Sequence, residues 1–259
     1  MVARALHSRR RYGLASLWST ARRTASRTNG LSLISPAGEE ITINSPAVFE
    51  GDLFIPPVAD MIAENGFGWY NKLTGVMLSQ GIRGIDTSAF SFTHISDAII
   101  PQSMMVINQH AFQETALDNV TFMGKDYTMF IADRAFANNA NLKTFKYPDC
   151  SEKLLGNTGN YALSNCHSLE EVYLGKNYSS ISAQTFYNCS SLKEVHISEK
   201  VRSIGYQAFS QCIDLKTIVF DNTKEQWFAM YFGDQWDSST GDYTVYCTDG
   251  TITKAEMQK

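Results

Sequence analysis

The sequence contains no run of the roughly 18 apolar residues that a membrane-spanning helix requires, so an integral membrane protein is not expected. It has no glycine period and no sustained heptad, which excludes collagen and coiled coil. Catalytic signatures are missing as well. GxSxG, HExxH, GxGxxG and a phosphate-binding GKS or GKT loop do not occur, and Gly124-Lys125-Asp126 lacks the glycine and hydroxyl context of a phosphate cradle. Cysteine is scarce, with 5 residues, none spaced as CxxC, and His167 is the one histidine beside a cysteine. A zinc site and an even disulfide framework are therefore not expected, and no metal or cofactor is assigned.

Acidic residues are absent before Glu39, whereas Arg4, Arg9, Arg10, Arg11, Arg22, Arg23 and Arg27 all fall in the first 30 positions. The formal net charge of -4 points to no specific nucleic acid partner, yet it hides this split. Residues 31–259 keep 15 of the 22 basic residues against all 26 acids, a balance of -11. The head is thus basic and the body acidic. The head also lacks the unbroken apolar core of a secretory signal, since Arg22 and Arg23 follow the LASLW segment closely. Leu14, Leu17, Trp18, Ala21 and Ala25 recur at helical spacing and predict a short amphipathic basic helix. Three uses fit it: an organelle transit peptide, a lipid-surface helix, or a tether that docks the body on a larger assembly through Arg9, Arg10, Arg11, Leu14, Leu17, Trp18, Arg22 and Arg23.

What is present is an ordinary folded composition, 44% hydrophobic and 19% charged, with an internal repeat. Ala89-Phe90, Ala111-Phe112, Ala135-Phe136, Ala162-Leu163, Thr185-Phe186 and Ala208-Phe209 place an anchor every 22 to 27 residues. Five residues before the anchor stands isoleucine in every unit but one, where Thr158 coincides with the longest spacing. After the anchor comes an L-x-x-V-x-I pattern, as in Leu192, Val195 and Ile197, which sets apolar side chains on one face of a short strand. Leu73, Val76 and Leu78 read as the strand of a degenerate earlier unit. A period of this length predicts a leucine-rich-repeat solenoid with short parallel strands, in which stacking neighbours supply the core. Cys166, Cys189 and Cys212 each follow their anchor by three residues, with Asn139 in the same place; the strand spacing permits disulfides between them, and a buried ladder of free thiols is the favoured expectation.

Segments such as VRSIGYQAFSQCIDLKTIVF and YSSISAQTFYNCSSLKEVHIS resemble BspA-type leucine-rich repeats over about residues 70–220. The tail TKEQWFAMYFGDQWDSSTGDYTVYCTDGTI, anchored by Trp227 and Trp236, is similar to the segment that closes such arrays. The resemblance implies a non-enzymatic recognition or adhesion role for a curved solenoid, on the surface of bacteria and some protists or in phage-encoded proteins. The first two units depart from the pattern in lacking the cysteine.

The expected organisation is a basic tether or targeting segment over residues 1–30, an N-terminal cap over 31–70, the solenoid over 71–220 and a C-terminal cap over 221–259. Solenoids bind through outward strand positions, which here are Met77, Ile99, Thr121, Lys146, Tyr173, His196 and Val219, beside a row that includes Glu171 and Glu194. Ile99, Thr121, Lys146, Glu171, Tyr173, Glu194, His196 and Val219 are the candidate ligand-binding residues, for a protein or a cell-surface glycan. His196 is one exposed strand residue and no catalytic residue is assigned. The favoured function is a recognition or adhesion module displayed through its basic head on a virion or cell surface. Two readings stand beside it: a structural virion component, as a phage fibre or decoration protein, and organelle targeting.

Overall fold

In the computed structural model, which describes residues 31–34, 40–43, 51–55, 57, 59–125, 127–151 and 156–257, the L-x-x-V-x-I segments are strands. Their apolar side chains turn to one side and are buried, as the pattern of Glu194–Ile197 shows, with Val195 and Ile197 inside. The long strands stack in a parallel column. Gly51–Ile55, Leu73–Leu78, Asp97–Pro101 and Asn119–Met123 make one sheet. Thr144–Lys146, Glu171–Tyr173, Glu194–Ile197, Thr217–Phe220 and Thr244–Cys247 make the next. Opposite them run shorter strands, from Met61–Ile62 through Phe130–Ile131 and from Gly156–Asn157 through Tyr231–Phe232. The long column breaks between the strands that follow Phe112 and Phe136 and the short one between those that precede Phe136 and Leu163, and Tyr127 forms an isolated parallel bridge with Cys150.

The chain closes each turn through the anchor. Two residues before and two after it the backbone is left-handed, as at Gln184 (φ 54°) and Asn188 (φ 59°) around Phe186. Such a residue costs roughly 1–2 kcal/mol when it carries a side chain. Hydrogen bonds between turns offset that cost, because the N–H groups of Gln184, Phe186 and Asn188 donate to Tyr206, Ala208 and Ser210 at 2.8, 2.9 and 2.8 Å. Asparagine tolerates this conformation best, and Asn138, Asn165 and Asn188 also join side chain to side chain at 2.9 Å per step.

Inside the turns the anchors stack. The rings of Phe67, Phe90, Phe112 and Phe136 lie 5.1, 5.1 and 5.3 Å apart, and Phe186 and Phe209 repeat the contact at 5.1 Å. Leu163 interrupts the stack, and Phe145 tilts in against Phe136 at 5.0 Å. Phe67 and Gly51–Ile55 carry the register back into residues that the sequence assigns to the N-terminal cap. No Ala-Phe pair marks that turn, since Gly66 precedes Phe67. At the other end the register is kept but the anchor is polar: Phe209 N donates to Trp236 O, so Asp237 stands in the anchor place and accepts a bond of 2.8 Å from Tyr243 Oη. Trp227 and Trp236 are buried, in the core role expected of them. Antiparallel strands lie on the outer edges, Gly250–Thr253 against the long column and Leu31–Ile34 with Glu40–Ile43 against the short one. The helix expected near Leu14 lies outside the described residues, as do all of residues 1–30.

Three residues after the anchor runs a polar ladder within the core. The thiols of Cys166, Cys189 and Cys212 are free and buried and donate to the carbonyls of Phe136, Leu163 and Phe186 at 3.4, 3.2 and 3.2 Å. Asn139 bonds the Phe112 and Phe136 carbonyls at 2.9 and 2.8 Å and accepts from Thr115 Oγ1. Thr93 and Thr115 hold the same place in the units without cysteine. Asn139→Leu should therefore cost about 1–3 kcal/mol, because the Thr115 hydroxyl and the Phe112 and Phe136 carbonyls keep only the 3.4 Å contacts of Thr115 Oγ1 with Phe112 and of Cys166 Sγ with Phe136. Asn139→Cys, which restores a donor the ladder already uses, should cost clearly less in urea denaturation. Equal losses would show that the hydrogen bonds are not what the site requires.

Candidate recognition surface

Strand alternation turns every second residue of the long column away from the core, and the parallel register lines these residues up across turns. Phe54, Met77, Ile99 and Thr121 are directly paired in the first sheet. Lys146, Tyr173, His196, Val219 and Tyr246 are paired in the second. The sequence-derived column is thus brought onto one face, and it extends by Phe54 and Tyr246. Those two fell in segments read as caps. The alternation of buried Leu53 and Ile55 about Phe54, and of Val245 beside Tyr246, is the signal that marks them.

The two halves of the face differ. The first is apolar, with Phe54 exposed, and its neighbouring row carries Asp52 and Asp97. Gly75 lies between them, and a side chain there would meet the Asp52 carboxylate at 2.7 Å, so glycine leaves that group free to accept from Thr74 Oγ1. The second half is charged and aromatic. Tyr173 and His196 stack with ring centres 4.3 Å apart and planes within 16°. Lys146 Nζ lies 4.8 Å from the centre of the other Tyr173 face. Glu171 and Glu194 are register partners; Tyr173 Oη donates to Glu171 Oε2 at 3.1 Å, and His196 Nε2 lies 2.5 Å from Glu194 Oε1. Partial burial and these carboxylates raise the Tyr173 phenol above its ordinary pKa. At the rim Lys193 and Glu170 pair at 2.7 Å, which lowers the carboxyl and raises the ammonium.

Both faces of the Tyr173 ring are therefore covered, and what it presents outward is a ring edge and a hydroxyl. The surface can offer lysine ammonium groups, two partly engaged carboxylates and aromatic edges to a partner. Among the described residues no group of three or more His, Cys, Asp or Glu side chains could hold a metal ion. No helix of the described residues is long and apolar enough to cross a membrane. Arg9, Arg10, Arg11, Leu14, Leu17, Trp18, Arg22 and Arg23, the proposed tether, lie outside the described residues.

The sequence model of the BspA type leucine rich repeat region matches residues 52–158 and 126–235, with 6 copies. Among solved structures, a T. pallidum leucine rich repeat protein is 16% identical, with a TM-score of 0.53, over 82% of this chain and 86% of its own. A leucine rich cell surface protein of Faecalibacterium prausnitzii is 21% identical over 71% of this chain, with a TM-score of 0.34, and this chain spans 62% of its length. The pneumococcal vaccine antigen PcpA is 16% identical, with a TM-score of 0.40, over 83% of this chain and 68% of its own. No functionally curated protein matches the chain.

Proposed function

The chain belongs to the BspA-type leucine-rich repeat family, and from that premise we propose that it is a non-catalytic recognition module whose partner contacts the outward face of the long-strand column. The observation that supports this reading is a contrast between the two sides of the same strands. Inward positions repeat one chemistry in turn after turn because the core demands it. Outward positions change from Phe54, Met77 and Ile99 to Lys146, Tyr173 and His196, although nothing in the packing requires the change. Exposed side chains that folding does not constrain are the ones a ligand can specify.

A protein partner suits this face better than a glycan. A sugar ring would need an open aromatic face, whereas Lys146 and His196 cover both sides of Tyr173. The ammonium, carboxylates and ring edges form the mixed polar and aromatic surface that protein interfaces use. Surface display and adhesion are the setting the family implies, with residues 1–30 as the segment that docks the solenoid on a larger assembly. No feature of the fold supports the alternative of a virion component.

The test is binding of the full chain to an array of immobilised cell-surface and matrix proteins. Replacing Lys146, Tyr173 and His196 together with alanine should weaken binding to an identified partner at least ~10-fold, because aromatic and charged anchors carry most interface energy. Unchanged binding by a folded triple variant would remove the site.

A further inference from the structure

The short-strand column has an outward row of its own, and its two halves differ. Met61, Gly84, Val106 and Phe130 are register partners from turn to turn, and each is followed by a buried isoleucine that faces the core. In the second half the outward partners are Ser180 and Ser203, before Tyr231. The serines show that the backbone of this column makes no demand for an apolar residue on its outer side. In the first half Met105 and Phe130 are nonetheless apolar and 42% and 46% exposed. A side chain at Gly84 would come within 3.0 Å of Met61 and 3.2 Å of Val106, so glycine lets those two close over the backbone and join the row into one apolar stripe. Arg83 does not break the stripe, since its guanidinium lies on the Met105 sulfur at 3.1 Å.

We propose that residues 14–25 of this chain lie as a helix along the stripe, with Leu14, Leu17 and Trp18 against it and the arginines outward. The fold delivers them there: Leu31–Ile34 pairs antiparallel with Met61–Ile62, so residue 30 joins the structure one strand away from Met61. Met61 to Phe130 is three steps of the column, ~14 Å at the strand spacing, and a helix over residues 14–25 is ~18 Å long. Residues 26–30 span up to ~17 Å when extended, enough to turn back from the first strand. A helix this short is marginal in water by itself, so its apolar edge needs a partner to be stable. Charge favours the same place. Asp60, Glu64, Asp86 and Asp133 flank these strands against Arg83 and Arg134, while the head carries seven arginines and no acid. A second copy of the chain suits the stripe less well, because a row one residue wide is far narrower than the ~800 Å² per partner of a specific interface. With the arginines outward, the contact orients the head without occupying its basic side. It is independent of the strand-face site, which lies on the other column.

The experiment is trypsin cleavage of the full chain after Arg22 and Arg23, followed by intact mass at low and high protein concentration, with and without phosphatidylserine vesicles. The parent should be cut slowly, at a rate that neither concentration nor vesicles change. Met105→Asp with Phe130→Asp should speed cleavage at least ~10-fold, because proteolysis tracks the population of the open state and a carboxylate on the stripe opposes docking. Phe130→Ser, which copies the polar half of the column, is the milder variant should the first not fold, and should act in the same direction. Leu14→Asp with Leu17→Asp and Trp18→Asp should also speed cleavage, and joining these to the stripe substitutions should add nothing further, the coupling expected of groups in contact. Ser203→Asp should be cut as the parent is. The proposal is overturned if the parent is cut as fast as the head variant, or if the head and stripe substitutions act additively. It is equally overturned if protection grows with concentration, which would make a second copy the occupant, or appears only with vesicles, which would make the head a lipid-surface helix.

Discussion

Phe186→Ala is expected to lower stability by about 3–5 kcal/mol, whereas His196→Ala should lower it by about 1 kcal/mol or less. The residues lie close in sequence but on opposite sides of the wall. Phe186 is fully buried and stacks 5.1 Å from Phe209, with Leu163 on the preceding turn, so its loss leaves a cavity that neither neighbour can fill. His196 stands on the outer face, and its removal exposes one side of Tyr173 to water. In a solenoid each turn is held by its neighbours, so the cavity should also break cooperativity locally. Hydrogen exchange in the Phe186 variant should rise first in the turns anchored on Leu163 and Phe209. Equal melting temperatures for the two variants would mean that the register is wrong.

Alkaline destabilisation should be the second large effect. Burial pushes the Cys166 thiol up to about 12, and burial likewise raises Cys189 and Cys212. Because the folded pKa lies above the unfolded value, the thiols contribute their full stability at neutral pH. That contribution declines once the unfolded chain begins to ionise near its ordinary value of about 8.5, and is lost as pH rises toward the folded pKa. Each thiol should remove up to about 1.4 kcal/mol per pH unit across that window, so by pH 11 the three together become comparable to a typical domain's whole stability. Urea midpoints measured under reducing conditions at pH 7, 9 and 10.5 should fall steeply. In the variant with Cys166, Cys189 and Cys212 changed to serine, the same series should fall much less. Parallel curves for the two proteins would falsify the assignment of the alkaline transition to the ladder.

The period of the anchors and the L-x-x-V-x-I pattern are properties of spacing, and a core built by stacking like on like turns spacing directly into structure. For that reason the solenoid, the buried anchors and the outward column could all be read from the residues. Phe67 escaped because Gly66 takes the alanine place, so the Ala-Phe pair that marks the other anchors is incomplete there. Asp237 escaped because the anchor place of that turn holds a polar residue, while the buried aromatic, Trp236, stands where Ala208 does in the preceding turn.

Side-chain geometry on the surface was decided elsewhere. Tyr173 and His196 share a column in the sequence, but only the parallel pairing of their strands sets the rings face to face and closes them to a sugar. The sequence determined which residues the core must take, because burial repeats in every turn. The tertiary structure alone decided what the outward residues present, because their neighbours come from turns more than 20 residues away in the chain.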